Sequence, residues 1–184
     1  MSPLSRAPVS VEEFWQLAHG LPKAELVAGQ VVELVLPGAR HGMLVALIAD
    51  VLRAHVVPRG LGIVVAEAGF ILSEHPPTVR GPDLAVVLRP RVPSPIPKRF
   101  FPGPPDLAVE VLSPDDRPGE VAARIADYLR AGTVAVWIVD PDRETVTVHT
   151  REGAMVFGRT ETLGDTPPLP GFELPLPTLF EPSD

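Results

Sequence analysis

Cysteine is absent from the 184-residue chain, which excludes a disulfide framework, a thiolate zinc site and a cysteine nucleophile. Asparagine is absent too, Gln16 and Gln30 are the only glutamines, and Lys23 and Lys98 are the only lysines. Few amides together with 24 prolines fit a heat-adapted source, and a GC-rich genome would give a similar bias. No apolar run approaches the roughly 20 residues of a membrane span. Met1 to Arg6 lead into no signal-like apolar segment, so the cytoplasm is the expected compartment and no membrane partner is expected. A net charge of −7 argues against a protein that coats nucleic acid by bulk electrostatics. It leaves room for an enzyme whose local cations and bound metal offset its acids. What is present is a 45% hydrophobic composition, too apolar for a disordered chain and sized for one domain.

The patterning alternates helices and strands without a linker. Ser10-x-x-Glu13 has the form of a capping box opening a helix from Val11 to about Ala18. Glu25 to Val35 read as a hairpin around Ala28-Gly29. Leu44, Leu47, Ile48, Val51, Leu52 and His55 recur at helical spacing, with Pro58 and Gly60 as the stop. Gly62 to Leu72 alternate as one long strand. A local near-repeat follows: Pro82-Asp83 and Pro105-Asp106 each lead into a short, almost wholly apolar run, the pattern of neighbouring strands buried on both faces. Asp115, Asp116 and Pro118 prepare a helix with Val121, Ile125, Tyr128 and Leu129 as its apolar stripe and Gly132 as its end. Val134 to Asp140 and Thr145 to Thr150 read as strands. The expected class is α/β (α+β), a central mixed sheet flanked by helices.

The chemistry candidates are Asp83 and Glu110. Glu110 interrupts a run of Leu, Ala and Val, and a buried carboxylate is costly unless paired or coordinated. Two acids on adjacent strands can hold Mg²⁺, which takes oxygen ligands and keeps several waters. Such a metal activates water and neutralises phosphodiester charge. A salt bridge from Glu110 to one of the arginines explains the same residues structurally.

The run from Pro105 to Pro114, with Glu110-Val111-Leu112 at its centre, resembles the large bacterial family of putative restriction endonucleases in the PD-(D/E)XK nuclease superfamily. Tyr128-Leu129-Arg130-Ala131-Gly132, Val136 to Pro141, Glu25-Leu26-Val27, His41, Pro82-Asp83 and Pro170-Gly171-Phe172 match that family in order, covering about residues 10 to 180. The resemblance implies a restriction-endonuclease-like fold with residues 1–184 as one nuclease-like domain. Residues 1–9 would form a flexible N-terminus and 165–184 a proline-rich wrap. It implies a metal-dependent endonuclease acting on DNA, with Mg²⁺ or Mn²⁺ held by Asp83, Glu110 and the Val111 carbonyl, and a homo-oligomer, a dimer first among them.

The motif lysine normally follows the Glu by two positions, where this chain has Leu112. In the family it migrates to the following helix, one turn before the tyrosine, where this chain has Arg124. Arginine can hold a phosphate but does not readily act as a base. An ordinary pair with Glu120 is the alternative for Arg124. Neither Lys23 nor Lys98 lies at a motif position.

Glu67 is a candidate third carboxylate, on a strand face with Ile63, Val65 and Ile71. Glu25 either supports the site or is an exposed hairpin acid, and His41 either caps the helix after it or contacts substrate. Arg89, Arg91, Lys98 and Arg99, beside Phe100 and Phe101, form either a phosphate-contacting loop or a solvated one. The competing function is a catalytically impaired relative that serves as a nucleic-acid-binding or oligomeric interaction module.

Overall fold

A computed structural model describes residues 7–21 and 23–181. The expected flexible N-terminus therefore lies mostly outside the described residues. Within them, Val9 is tied down, its N–H donating to the Gly29 carbonyl at 2.8 Å.

The chain begins with α1 (Val11–Ala18), whose Ser10–Glu13 capping box is formed in both directions. The hairpin β1 (Ala24–Val27) and β2 (Gln30–Glu33) follows, then α2 (Ala39–Val56). Next come β3 (Gly62–Ala66), β4 (Phe70–Glu74), β5 (Pro77–Arg80) and β6 (Leu84–Leu88). After the short β7 (Phe101–Pro102) the chain forms β8 (Leu107–Val111), α3 (Pro118–Ala131) and β9 (Ala135–Asp140). It closes with β10 (Thr145–His149), β11 (Ala154–Gly158), β12 (Thr162–Gly164), β13 (Glu173–Pro175) and α4 (Leu176–Phe180).

The six-stranded sheet runs β11-β10-β9-β8-β6-β3. β8 and β9 are parallel and the other pairs antiparallel, so α3 is the crossover that a parallel pair requires. The expected mixed central sheet is present, and the strands led by Asp83 and Asp106 are direct neighbours in it. A second sheet, β2-β1-β5-β4-β7, stands beside it.

Alternation along β8 sorts its side chains between two helices. Leu107, Val109 and Val111 join Leu44, Ile48, Leu52 and Val56 of α2 in the main core. Ala108 packs on the other face with Tyr128 of α3. Glu110 has the parity of Ala108, so it rises under α3.

Three expectations need correction. The alternation from Gly62 to Leu72 is not one strand. The chain leaves the six-stranded sheet after Ala66 and joins the other at Phe70. Glu67 between them is left-handed at φ 49°, and a Cβ on Gly69 would sit 2.4 Å from the Phe100 ring. Alternating hydrophobicity persists because both strands are half buried, and it carries no mark of the change of sheet. Second, α2 starts at Ala39 after Gly38, so His41 lies inside its first turn and does not cap it. Third, the C-terminal segment is more than a wrap: Leu169, Phe172, Leu174, Leu176, Leu179 and Phe180 belong to the main core.

Candidate active site

The β6–β8 register pairs Leu84 with Val109, and one step further sets Asp83 opposite Glu110. Both acids are buried, at 6% and 4% exposure, and both line a cavity of about 280 Å³. Seven acidic side chains line that cavity against two cations, Lys23 and Arg124, with His41 between them.

Asp83 is held through one oxygen. The Val111 N–H donates to Oδ2 at 2.8 Å, and His41 Nε2 lies 3.1 Å from the same atom. Among the described residues Oδ1 has only the Lys23 ammonium, at 3.6 Å. Burial works to raise the Asp83 pKa, but His41, the Val111 N–H and Lys23 outweigh it and hold the carboxyl below its ordinary value. The same hydrogen bond raises the His41 pKa against its own desolvation.

Glu110 uses both oxygens. The Tyr128 hydroxyl donates to Oε1 at 2.9 Å, and Arg124 Nη1 donates to Oε2 at 2.9 Å. Arg124 and Tyr128 are four apart on α3, the spacing that puts two side chains on one face. Burial pushes the Glu110 carboxyl up to about 8, with Asp83 and Glu25 adding to the rise and Arg124 opposing it. Burial likewise drives the Tyr128 hydroxyl well above its usual range. Arg124 also donates to Asp116 Oδ1 at 3.3 Å. Burial disfavours its charge, but Glu110, Glu25 and Asp116 outweigh that and raise its pKa.

The donors fit a hard divalent cation. Among the described residues Asp83 Oδ1 has no hydrogen-bond donor, Glu110 Oε2 has one, and Val111 lines the same cavity. An all-oxygen set of two carboxylates and a carbonyl, completed by water, suits Mg²⁺ or Mn²⁺. Among the described residues no group of three or more His, Asp or Glu side chains is arranged around one metal position.

Residues 11–177 match the Uma2 family, described as a putative restriction endonuclease. The chain belongs to that family. A solved structure of a putative nuclease belonging to DUF820, from Anabaena variabilis ATCC 29413, is 25% identical with a TM-score of 0.78. The match covers 94% of this chain and 98% of that one. No curated protein shows significant similarity.

In this Uma2 chain several candidates stand elsewhere than expected. Arg124 does not pair with Glu120. It turns inward to Glu110 and Asp116, because a buried carboxylate and a half-buried one outweigh one at the helix surface. Asp116 serves Arg124 and the Ser113 N–H and leaves the α3 N-terminus uncapped.

Glu25 is no exposed hairpin acid. Its Oε2 accepts from Arg80 Nη1 at 2.7 Å and its Oε1 from the Gly81 N–H at 2.9 Å, which braces the backbone leading into Asp83. Glu67 lies beyond the end of β3 with its side chain 62% exposed; its carboxylate stands 3.5 Å from Lys23, and its backbone N–H donates to the Asp83 carbonyl at 3.2 Å.

The expected phosphate-contacting loop is not at the cavity, which Arg89, Arg91, Lys98 and Arg99 do not line. Arg91 pairs with Asp106, Arg99 with Glu12, and Arg89 donates to the Gly60 carbonyl. A basic sequence cluster shows charge but not that Arg91 and Arg99 are paired with acids. Sequence reasoning missed Lys23 and gave Tyr128 only a packing role. The scarcity of lysine was the one available signal for Lys23, because its approach to Asp83 depends on how the two sheets meet.

Proposed function

We propose that the protein is a metal-dependent endonuclease of the PD-(D/E)XK type that hydrolyses DNA phosphodiester bonds. The observation that carries this reading is the pairing of Asp83 and Glu110 across neighbouring strands on one acidic cavity, with Asp83 Oδ1 left without a hydrogen-bond donor. Asp83, Glu110 and the Val111 carbonyl would hold Mg²⁺ or Mn²⁺. The cation supplies Lewis-acid charge and an activated water when bound.

The chain's own residues set the geometry around it. The Val111 N–H and His41 fix Asp83 through Oδ2 and so direct Oδ1 into the cavity. Tyr128 and Arg124 fix Glu110 from the α3 side. Arg124 adds positive charge where a phosphate must approach seven acidic side chains. Hydrolysis joins the oxygen of water to phosphorus and breaks a phosphorus–oxygen bond to the sugar, the leaving oxygen taking up a proton.

One observation favours a second reading. Both oxygens of Glu110 are already engaged, and arginine stands where the resemblance calls for lysine. A non-cleaving DNA-binding or interaction module would look the same. Supercoiled plasmid with Mn²⁺ or Mg²⁺ separates the two. Nicking that chelator and Asp83→Asn both abolish supports the nuclease, whereas an intact plasmid at stoichiometric protein favours the module.

A further inference from the structure

The two cations of the cavity are in different states. Arg124 is committed: its terminal nitrogens meet Glu110 and Asp116, and its buried Nε has no partner among the described residues. Lys23 Nζ lies 3.6 Å from Asp83 Oδ1 and 3.5 Å from Glu67 Oε1, ion-pair separations beyond hydrogen-bond length. Its side chain is 24% exposed and lines the cavity, and its ammonium carries three donors.

Its position is built by the hairpin. The Leu34 N–H donates to the Lys23 carbonyl at 2.8 Å, which pins the backbone just ahead of β1. The residue type also matters in a chain with only two lysines. A guanidinium beside Asp83 would take its carboxylate in a two-point grip. A compact ammonium neutralises the acid and leaves Oδ1 open.

We propose that Lys23 binds the scissile phosphate of the nucleic-acid substrate, the contact that Arg124, tied to Glu110 and Asp116, does not make. This rests on the nuclease reading and adds to it a phosphate contact drawn from the β1 hairpin, far in sequence from the acidic motif. Lys23 would then hold the incoming anion beside Asp83, whose Oδ1 lies 3.6 Å from its ammonium.

The test compares wild-type protein with Lys23→Ala, Lys23→Gln and Lys23→Arg in three measurements, beside a thermal melt. These are Mn²⁺ affinity by calorimetry, binding of a short fluorescent duplex in non-cleaving Ca²⁺, and plasmid cleavage in Mn²⁺. Loss of Lys23 should weaken duplex binding at least tenfold and slow cleavage by about 100-fold, the scale of removing one preorganised donor from developing charge. Mn²⁺ affinity should hold or tighten, because a cation beside Asp83 has gone, and the melting temperature should not move. Lys23→Arg should recover duplex binding while weakening Mn²⁺ affinity.

The opposite pattern, unchanged duplex binding with weakened Mn²⁺ affinity, makes Lys23 a counterion that orients Asp83 and overturns the proposal. Wild-type and Lys23→Ala proteins that cleave equally also overturn it while leaving the nuclease reading intact. A wild-type protein that never cleaves, yet loses duplex binding with Lys23, overturns the nuclease reading and keeps the phosphate contact.

Discussion

Arg80, Glu25 and Asp127 form one buried ionic cluster, and Asp83, Glu110, Lys23 and Arg124 form another a few residues along the chain. In the first, Arg80 donates to Glu25 and twice to Asp127, and the second oxygen of Glu25 accepts from Gly81. In the second, one Asp83 oxygen lacks a hydrogen-bond donor, an ammonium waits at ion-pair distance, and a glutamic acid is pushed up to about 8 by burial. The first cluster is satisfied by the protein alone. The second keeps unmatched capacity facing a cavity, the condition that the proposed metal site requires.

The largest expected effect would break the closed cluster. Arg80→Ala leaves Glu25 buried without its main partner, and removing one member of a buried pair costs about 3–5 kcal/mol. Denaturant unfolding should show that loss, without requiring metal. Arg80→Met, which fills the space but cannot donate, should cost a similar amount because Glu25 stays unpaired. If Arg80→Ala leaves the unfolding midpoint unmoved, the cluster is no brace and the contrast with the site collapses.

Asp83→Asn probes the open cluster. The amide oxygen can still accept from Val111, so the fold should survive with a melting temperature near that of wild type, whereas Mn²⁺ binding should be lost in calorimetry. A large thermal loss with intact Mn²⁺ binding would put Asp83 in the same class as Glu25.

These two acids also show how far the sequence reaches. The adjacency of Asp83 and Glu110 was legible because each marks an apolar strand with a charge, and the pairing of those strands follows from matched Pro-Asp leads and buried runs. The roles of Glu25 and Arg124 were open, since sequence gives a residue's type and helical face but not which of several opposite charges it meets. Lys23 and the break at Glu67 were hidden for a related reason. Both depend on how the second sheet abuts the first, a contact between segments with no periodic signature.

The pH dependence of stability gives a smaller, sharper comparison. Glu110 has a folded pKa of about 8, above the ordinary 4.5 of the unfolded chain. Its contribution is therefore complete below about pH 4.5 and is lost as pH rises toward 8, because the unfolded chain releases a proton that the fold retains. Metal-free protein should melt at lower temperature across that window. Glu110→Gln, which cannot ionise, should flatten the decline, and a slope unchanged by that substitution would assign it to another group.

The smallest effect expected is that of Arg124→Lys on cleavage. Arg124 spans Glu110 and Asp116 with two nitrogens, and a lysine ammonium can meet only one of them closely. The shorter contact should free part of Glu110 Oε2 for a metal while keeping a positive charge against the buried carboxylate. Single-turnover cleavage at matched Mg²⁺ and salt should therefore rise, by up to roughly tenfold, which corresponds to about 1.4 kcal/mol of barrier. Arg124→Ala should fall below wild type, because Glu110 then has no cation to favour its ionised form and holds its proton more tightly. The two substitutions move in opposite directions only if the guanidinium both charges and crowds Glu110. Equal rates in all three proteins would place Arg124 with Arg80, as a closed brace outside the chemistry.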